Sequence, residues 1–145
     1  MSQKTSSIVF IAAMLSPAYA YTADIAGAWK TIDDNSGKPR SIVRIDESGG
    51  QFEGIIEKLF PEPNEDPNPL CDKCHGAHKG KPILGMKIIN QMKKVADEYK
   101  DGTIMDPDNG KFYNCKMWIE DGGKKLKVRG YIGPFYRTQT WLRAE

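Results

Sequence analysis

Seven clusters of turn-forming residues divide this chain into eight short segments, and that spacing constrains its fold more than any other feature. They are Asp33-Asp34-Asn35-Ser36-Gly37, Ser48-Gly49-Gly50, a proline-rich stretch from Pro61, Lys94 to Asp97, Pro107-Asp108-Asn109-Gly110, Asp121-Gly122-Gly123 and Gly133-Pro134. Glycine, proline, asparagine and aspartate favour turns because they tolerate or impose the dihedrals a reversal needs. Between the turns the apolar residues alternate. Tyr113, Cys115, Met117 and Ile119 share one face of their segment, and Asn114, Lys116 and Trp118 share the other. Leu126, Val128 and Ile132 likewise oppose Lys125, Lys127, Arg129 and Tyr131. Period two means strands. Parallel strands need crossovers of about a dozen residues or more, for which these turns leave no room, so the sheet is antiparallel. Closing eight strands into an up-and-down barrel removes both exposed edges and leaves an interior for side chains or one small ligand. The expected fold is therefore all-β, an eight-stranded antiparallel up-and-down barrel, with a two-sheet sandwich as the rival. Arg129 and Tyr131 face outward by parity, unless a bulge at Gly130 reverses Tyr131. The segment from Pro82 to Lys94 is the exception to the pattern, since Met86, Ile89 and Lys93 also fit a helical turn.

Residues 1–20 have the layout of a cleaved signal peptide. Lys4 supplies the positive start, Ile8 to Leu15 the apolar run, Pro17 a helix stop and Ala18-Tyr19-Ala20 the small-x-small cleavage site. The run has no polar face with which to be an ordinary surface helix. It also falls short of the roughly 18 residues of a membrane span. The mature protein, a single barrel domain over 21–145, is thus expected in the periplasm or secreted. The formal charge of the whole chain is +2, from 21 basic and 19 acidic residues with no basic run, which argues against nucleic acid as a partner.

The irregular stretch 61–80 carries Pro61, Pro63, Pro67 and Pro69 and then Cys71-Asp72-Lys73-Cys74-His75, with His78 beyond. Prolines remove ladder donors, so this is a long surface loop. The spelling C-x-x-C-H matches a haem-attachment signature. Proline loops and alternating strands do not provide a helical wrap for a porphyrin, and no cofactor is expected. Cys71, Cys74, His75 and His78 are also two thiolates and two imidazoles, a zinc donor set. Their spacing is tight, because neighbours such as Cys74 and His75 point apart in an extended chain. In an oxidising compartment a Cys71–Cys74 disulfide, or a bridge from either to Cys115, is the simpler reading. Cys115 otherwise reads as a small buried apolar residue.

Signals for catalysis are sparse. Asp106-Pro107-Asp108-Asn109-Gly110 has calcium-loop residue types, but its glycine falls one place early and Met117 stands where a glutamate is needed, so a hairpin turn explains it. No nucleophile elbow or phosphate loop is present, and both histidines lie in the 61–80 loop. A non-catalytic protein is expected.

Several blocks, in order and spacing, resemble an exported bacterial family known as domain of unknown function 2147. They are Ile25-Ala26-Gly27-Ala28-Trp29-Lys30, Cys71-Asp72-Lys73-Cys74, Gly102-Thr103-Ile104-Met105-Asp106-Pro107 with Gly110-Lys111, Lys127-Val128-Arg129-Gly130-Tyr131-Ile132-Gly133, and Arg137-Thr138-Gln139-Thr140-Trp141. The likeness spans residues 23–145. It implies a lipocalin-like, calycin-type barrel and an envelope or secreted location. It also implies that Gly27 and Trp29, as Gly-x-Trp at the start of the first strand, set the indole across the closed end under a cation from the last strand, either Arg143 or Arg137.

A barrel of this kind binds in its interior. Trp29, Tyr113, Met117, Gln139 and Trp141 are the candidate lining residues for a small apolar or amphipathic ligand, in a monomer or weak dimer. That role requires a cavity near or above about 300 Å³. The alternatives are an envelope interaction module with a solid core, using the cysteine loop and an exposed patch at Trp118 and Tyr136, and metal binding at the Cys/His loop.

Overall fold

The structure, a computed structural model, describes residues 9–16 and 23–144. Eight strands, β1 (Gly27–Ile32), β2 (Pro39–Ser48), β3 (Gln51–Leu59), β4 (Lys87–Val95), β5 (Glu98–Asp106), β6 (Lys111–Glu120), β7 (Lys125–Ile132) and β8 (Phe135–Arg143), follow one another round a closed barrel. Every neighbouring pair is antiparallel, and β8 returns to β1 through Trp29↔Arg143 and Lys30↔Leu142. The sheet has closed on itself, so the sandwich is excluded.

The alternation in β6 and β7 survives intact. Cys115, Met117, Leu126 and Val128 are buried, and their register is unbroken through Cys115↔Gly130 and Asn114↔Tyr131. No bulge occurs at Gly130, and Tyr131 stays on the outer face. Of the segment 82–94, residues 87–94 form a strand, while 82–86 make an isolated bridge and a turn closed by Met86 N on Ile83 O, and bulges are the reason the strand's pattern is hard to read. The β3–β4 register slips between Phe52 and Gly54 and again between Gly54 and Ile55, and Gln91 takes φ 55°. A bulge sets two residues opposite one, which lets the consecutive Ile88 and Ile89 both be buried. β5 slips between Tyr99 and Gly102, with Asp101 at φ 65°. Two glycines allow the wall to fold this tightly. A Cβ on Gly54 would lie 2.7 Å from Ile89 Cδ1, and one on Gly102 would lie 2.2 Å from Asn90 O.

One end of the barrel is plugged. Trp29 is fully buried there and donates from Nε1 to Ile25 O at 2.8 Å. The Arg143 guanidinium lies 4.0 Å from the Trp29 ring centre and donates to Gly123 O, Ala26 O and Asp24 O at 2.9, 2.8 and 2.8 Å. Arg143 is therefore the stacking cation, while Arg137 sits at the other end of β8 and pairs with Asp34. The glycine of Gly-x-Trp has a steric origin. Gly27 adopts φ +119°, and a Cβ there would lie 3.0 Å from Arg143 Nη1. Phe52 and Tyr99 meet edge to face at 5.0 Å, and Leu126 is buried in the same core.

Within 9–16 the chain has no helix or strand, and its apolar side chains are exposed, Phe10 at 91% and Met14 at 94%. Lys4 and the Ala18-Tyr19-Ala20 cleavage triplet lie outside the described residues. Among the described residues no helix is long and apolar enough to cross a membrane.

Candidate functional site

Above the Trp29 plug the barrel is hollow. A cavity of about 560 Å³ opens at the end formed by the β1–β2, β3–β4, β5–β6 and β7–β8 connections. Its apolar walls include Ile56, Leu59, Ile83, Ile104 and Val128, and Trp141 is buried against it. Polar side chains among these walls bind one another. Trp141 Nε1 donates to Gln139 Oε1 at 3.1 Å, and Gln139 Nε2 donates to Asp34 Oδ2 at 3.2 Å, the same carboxylate that pairs with Arg137. The Thr31 and Ser41 hydroxyls lie 2.7 Å apart. Tyr113 accepts from Asn109 Nδ2 at 2.8 Å and leans over Gly130, where a Cβ would lie 3.3 Å from Tyr113 Cβ. Among the described residues no buried side-chain nitrogen or oxygen lacks a partner.

Of the five candidate lining residues, Tyr113, Gln139 and Trp141 border the cavity. Trp29 and Met117 do not border it; both are fully buried in the core. Strand parity decides which face a side chain occupies but not how deep it sits, and Met117 lies further from the mouth along β6 than Tyr113. The wall residues Thr31, two places from Trp29, and Val128, on the apolar face of its segment, were within reach of that rule. Leu59 was not, because a slip in the β2–β3 register between Ile42 and Val43 changes its parity relative to Ile56, and Pro69 and Ile83 were not, because they reach the cavity from the long β3–β4 connection.

The mouth is charged. Arg40 Nη1 donates to both Glu65 carboxylate oxygens at 3.0 Å, which pushes the Arg40 pKa up. Glu65 is pushed down, first by the Glu62 backbone N–H and then by Arg40. A second ion pair, Lys38–Glu62 at 3.2 Å, helps tie the proline loop to β2. Asp33 is pushed down because Ser36 and Asn35 donate to it within its own turn. Asp108 moves the other way. The mouth withholds water from its carboxyl, and Asp106 beside it adds repulsion that outweighs the attraction of Arg40.

The cysteine loop closes the rim on one side. Cys71 and Cys74 are joined by a disulfide, with Cα atoms 5.4 Å apart, and both are buried. Cys71 N donates to Lys81 O, Gly80 N donates to Cys71 O, and Leu70 and Pro82 form an isolated bridge, so the loop is a small ribbon. It packs on the β5–β6 turn. Cys71 Sγ lies 3.5 Å from Pro107 O and Cys74 Sγ lies 4.0 Å from Met105 Sδ. A Cβ on Gly110, which has φ +71°, would lie 2.1 Å from Lys73 O. The proposed zinc set is corrected on this geometry, since sulfurs bonded to each other are not thiolates. His75 is exposed, His78 packs 6.2 Å from the Phe112 ring, and no group of three or more potential ligands is assembled among the described residues. Cys115 remains a free thiol, buried in the wall and pushed up to about 12 by burial, which leaves it protonated and unreactive.

On the outer face Arg129 lies 4.9 Å from the Trp118 ring centre and 4.3 Å from that of Tyr136. Tyr136 is 60% exposed, so an aromatic patch is present, but the solid interior required by the interaction-module reading is not.

A closed eight-stranded antiparallel barrel, plugged at one end by an arginine-stacked tryptophan and hollow at the other, is a lipocalin-like calyx. The backbone is similar to that of a solved structure described as "Protein HP1028 from the human pathogen Helicobacter pylori belongs to the lipocalin family", with a TM-score of 0.72 and 19% identity over 86% of this chain and 85% of that one. The chain belongs to the family described as "Uncharacterized protein conserved in bacteria (DUF2147)", whose model matches residues 27–143. No curated protein matches it.

Proposed function

We propose that this protein is an exported, non-catalytic carrier that binds a small apolar or amphipathic molecule inside its barrel. The open cavity of about 560 Å³ carries this reading, because it falls within the range of small-molecule sites and has apolar walls at Ile56, Leu59, Ile83, Ile104 and Val128 below a polar mouth. Burying apolar ligand surface there supplies about 25 cal/mol per Å² before the costs of association. The absence of an expected catalytic role rests on chemistry: the thiol facing inward is held protonated, and the cavity-lining amide and phenol serve as hydrogen-bond partners of their neighbours. Export is supported by the exposure of the apolar 9–16 run, which is outside the core of the described residues.

Titration with the neutral fluorophore N-phenyl-1-naphthylamine tests the binding role. Saturable one-to-one enhancement, with quenching of Trp141, is expected, and Ile104→Trp, which fills the cavity, is expected to abolish it while the barrel's far-UV signature persists. No enhancement, or enhancement indifferent to Ile104→Trp, overturns the proposal.

A further inference from the structure

We infer that the molecule this cavity is built for is a cationic amphiphile, with an apolar tail in the barrel and an amine or quaternary ammonium head at the mouth. The inference rests on the binding role proposed above and specifies its ligand class.

The two levels of the cavity make different demands. Below the rim the Trp141 indole is bound to Gln139, whose amide reaches up to Asp34, and the Thr31 and Ser41 hydroxyls bind each other. Apart from the Tyr113 hydroxyl, which accepts from Asn109 and keeps its own O–H, these wall groups are taken, so a tail that is mainly apolar is favoured. At the rim the cavity is bordered by Asp33, Asp34, Glu65, Asp66, Asp106 and Asp108, against only two guanidiniums, Arg40 and Arg137. Both guanidiniums are engaged. Arg40 holds both oxygens of Glu65, and Arg137 holds Asp34. An anionic head would have to displace a carboxylate from one of them and then face the carboxylate it displaced.

The remaining acids carry the excess charge. Among the described residues no ion pair reaches Asp33, Asp66, Asp106 or Asp108. Three of the four use Oδ1 to accept backbone N–H groups of their own turns: Asp33 from Asn35 and Ser36, Asp66 from Asn68, and Asp106 from Asp108. Those bonds hold the three carboxylates in place at the rim. A mouth of net negative charge above low-dielectric walls concentrates its field over the entrance. A cation placed there gains from all of these charges at once, and an anion is repelled by them.

The test is displacement of N-phenyl-1-naphthylamine by three amphiphiles that differ mainly in the head: dodecyltrimethylammonium, dodecyl tetraethylene glycol and dodecanoate, each below its micellar concentration. At low ionic strength the ammonium is expected to bind roughly tenfold or more tightly than dodecanoate, with the neutral head between them. Added salt should compress the order, because exposed charges are screened over about 10 Å at 0.1 M. The double variant Asp106→Asn, Asp108→Asn is expected to narrow the gap between ammonium and carboxylate heads. Should that variant not fold, the salt series on the parent protein decides alone. Binding of the fluorophore and of all three amphiphiles without a charge order, or an ammonium lead that salt does not reduce, overturns this inference and leaves the carrier role standing. Failure of the fluorophore and every amphiphile to bind overturns both.

Discussion

Arg143 makes an unusual number of connections for one side chain. It stacks on Trp29 and donates to carbonyls from the N-terminal segment and from the β6–β7 turn, so it joins three stretches of chain across the plugged end. Arg143→Met is expected to lower stability by about 3 kcal/mol, from a lost cation–π contact and three carbonyls left without their donor, as read from denaturant unfolding. Arg143→Lys should recover only part of this, since an ammonium cannot stack flat and donate in three directions. Asp108 gives an effect of opposite sign. Crowding raises its pKa above 3.8, so between 3.8 and the raised value the folded protein holds more protons than the unfolded chain. Stability therefore falls as pH rises through that window and stays reduced above it. Asp108→Asn is expected to melt at a higher temperature than the parent at neutral pH and at the same temperature well below 3.8. Thermal scans at the two pH values check this.

The β5–β6 turn and the disulfide loop act as one element of the rim. Residues 105–109 border the cavity on one side of that turn, and the loop backbone at Lys73 presses against Gly110 on the other. Gly110→Ala is expected to cost about 2 kcal/mol or more, because a left-handed φ and a collision with a backbone carbonyl coincide. Gly133→Ala is the control. It shares the left-handed φ, but nothing lies within 4 Å of its Cβ position, so only about 1 kcal/mol is expected. Equal costs in unfolding experiments would show that the loop is not docked there. Element boundaries in β6 and β7 were legible in the sequence because two-residue alternation is local. Those in β4 were not, since the slips around Gly54 and the left-handed Gln91 break the alternation only when β3 is alongside.

For the molecule as a whole, the folded unit is the barrel, with its first strand paired to its last, together with residues 23–26, whose Ile25 is buried in the core and whose carbonyls are bound by Trp29 and Arg143. The described part of the N-terminal run is exposed and contributes nothing to the core. A chain beginning at Tyr21 is accordingly expected to melt within about 1 °C of the full-length chain, a change too small to correspond to a lost core contact. A large loss would mean that residues 1–20 belong to the fold.

Strand number and antiparallel order were legible in the sequence alone, because turn residues and alternating side chains act over a few positions; closure, against the two-sheet sandwich, was decided by the pairing of β1 with β8. Gly27 and Trp29 marked the plug only through the family resemblance. The choice of Arg143 over Arg137 required the closed topology, which carries the two ends of β8 to opposite ends of the barrel. Only the tertiary structure decided the depth of Tyr113 against Met117, the partner of each cysteine, and the gathering of acids from three separate connections round one mouth. Depth and convergence are distances between parts of the chain remote in sequence, and they exist only once the sheet has curled.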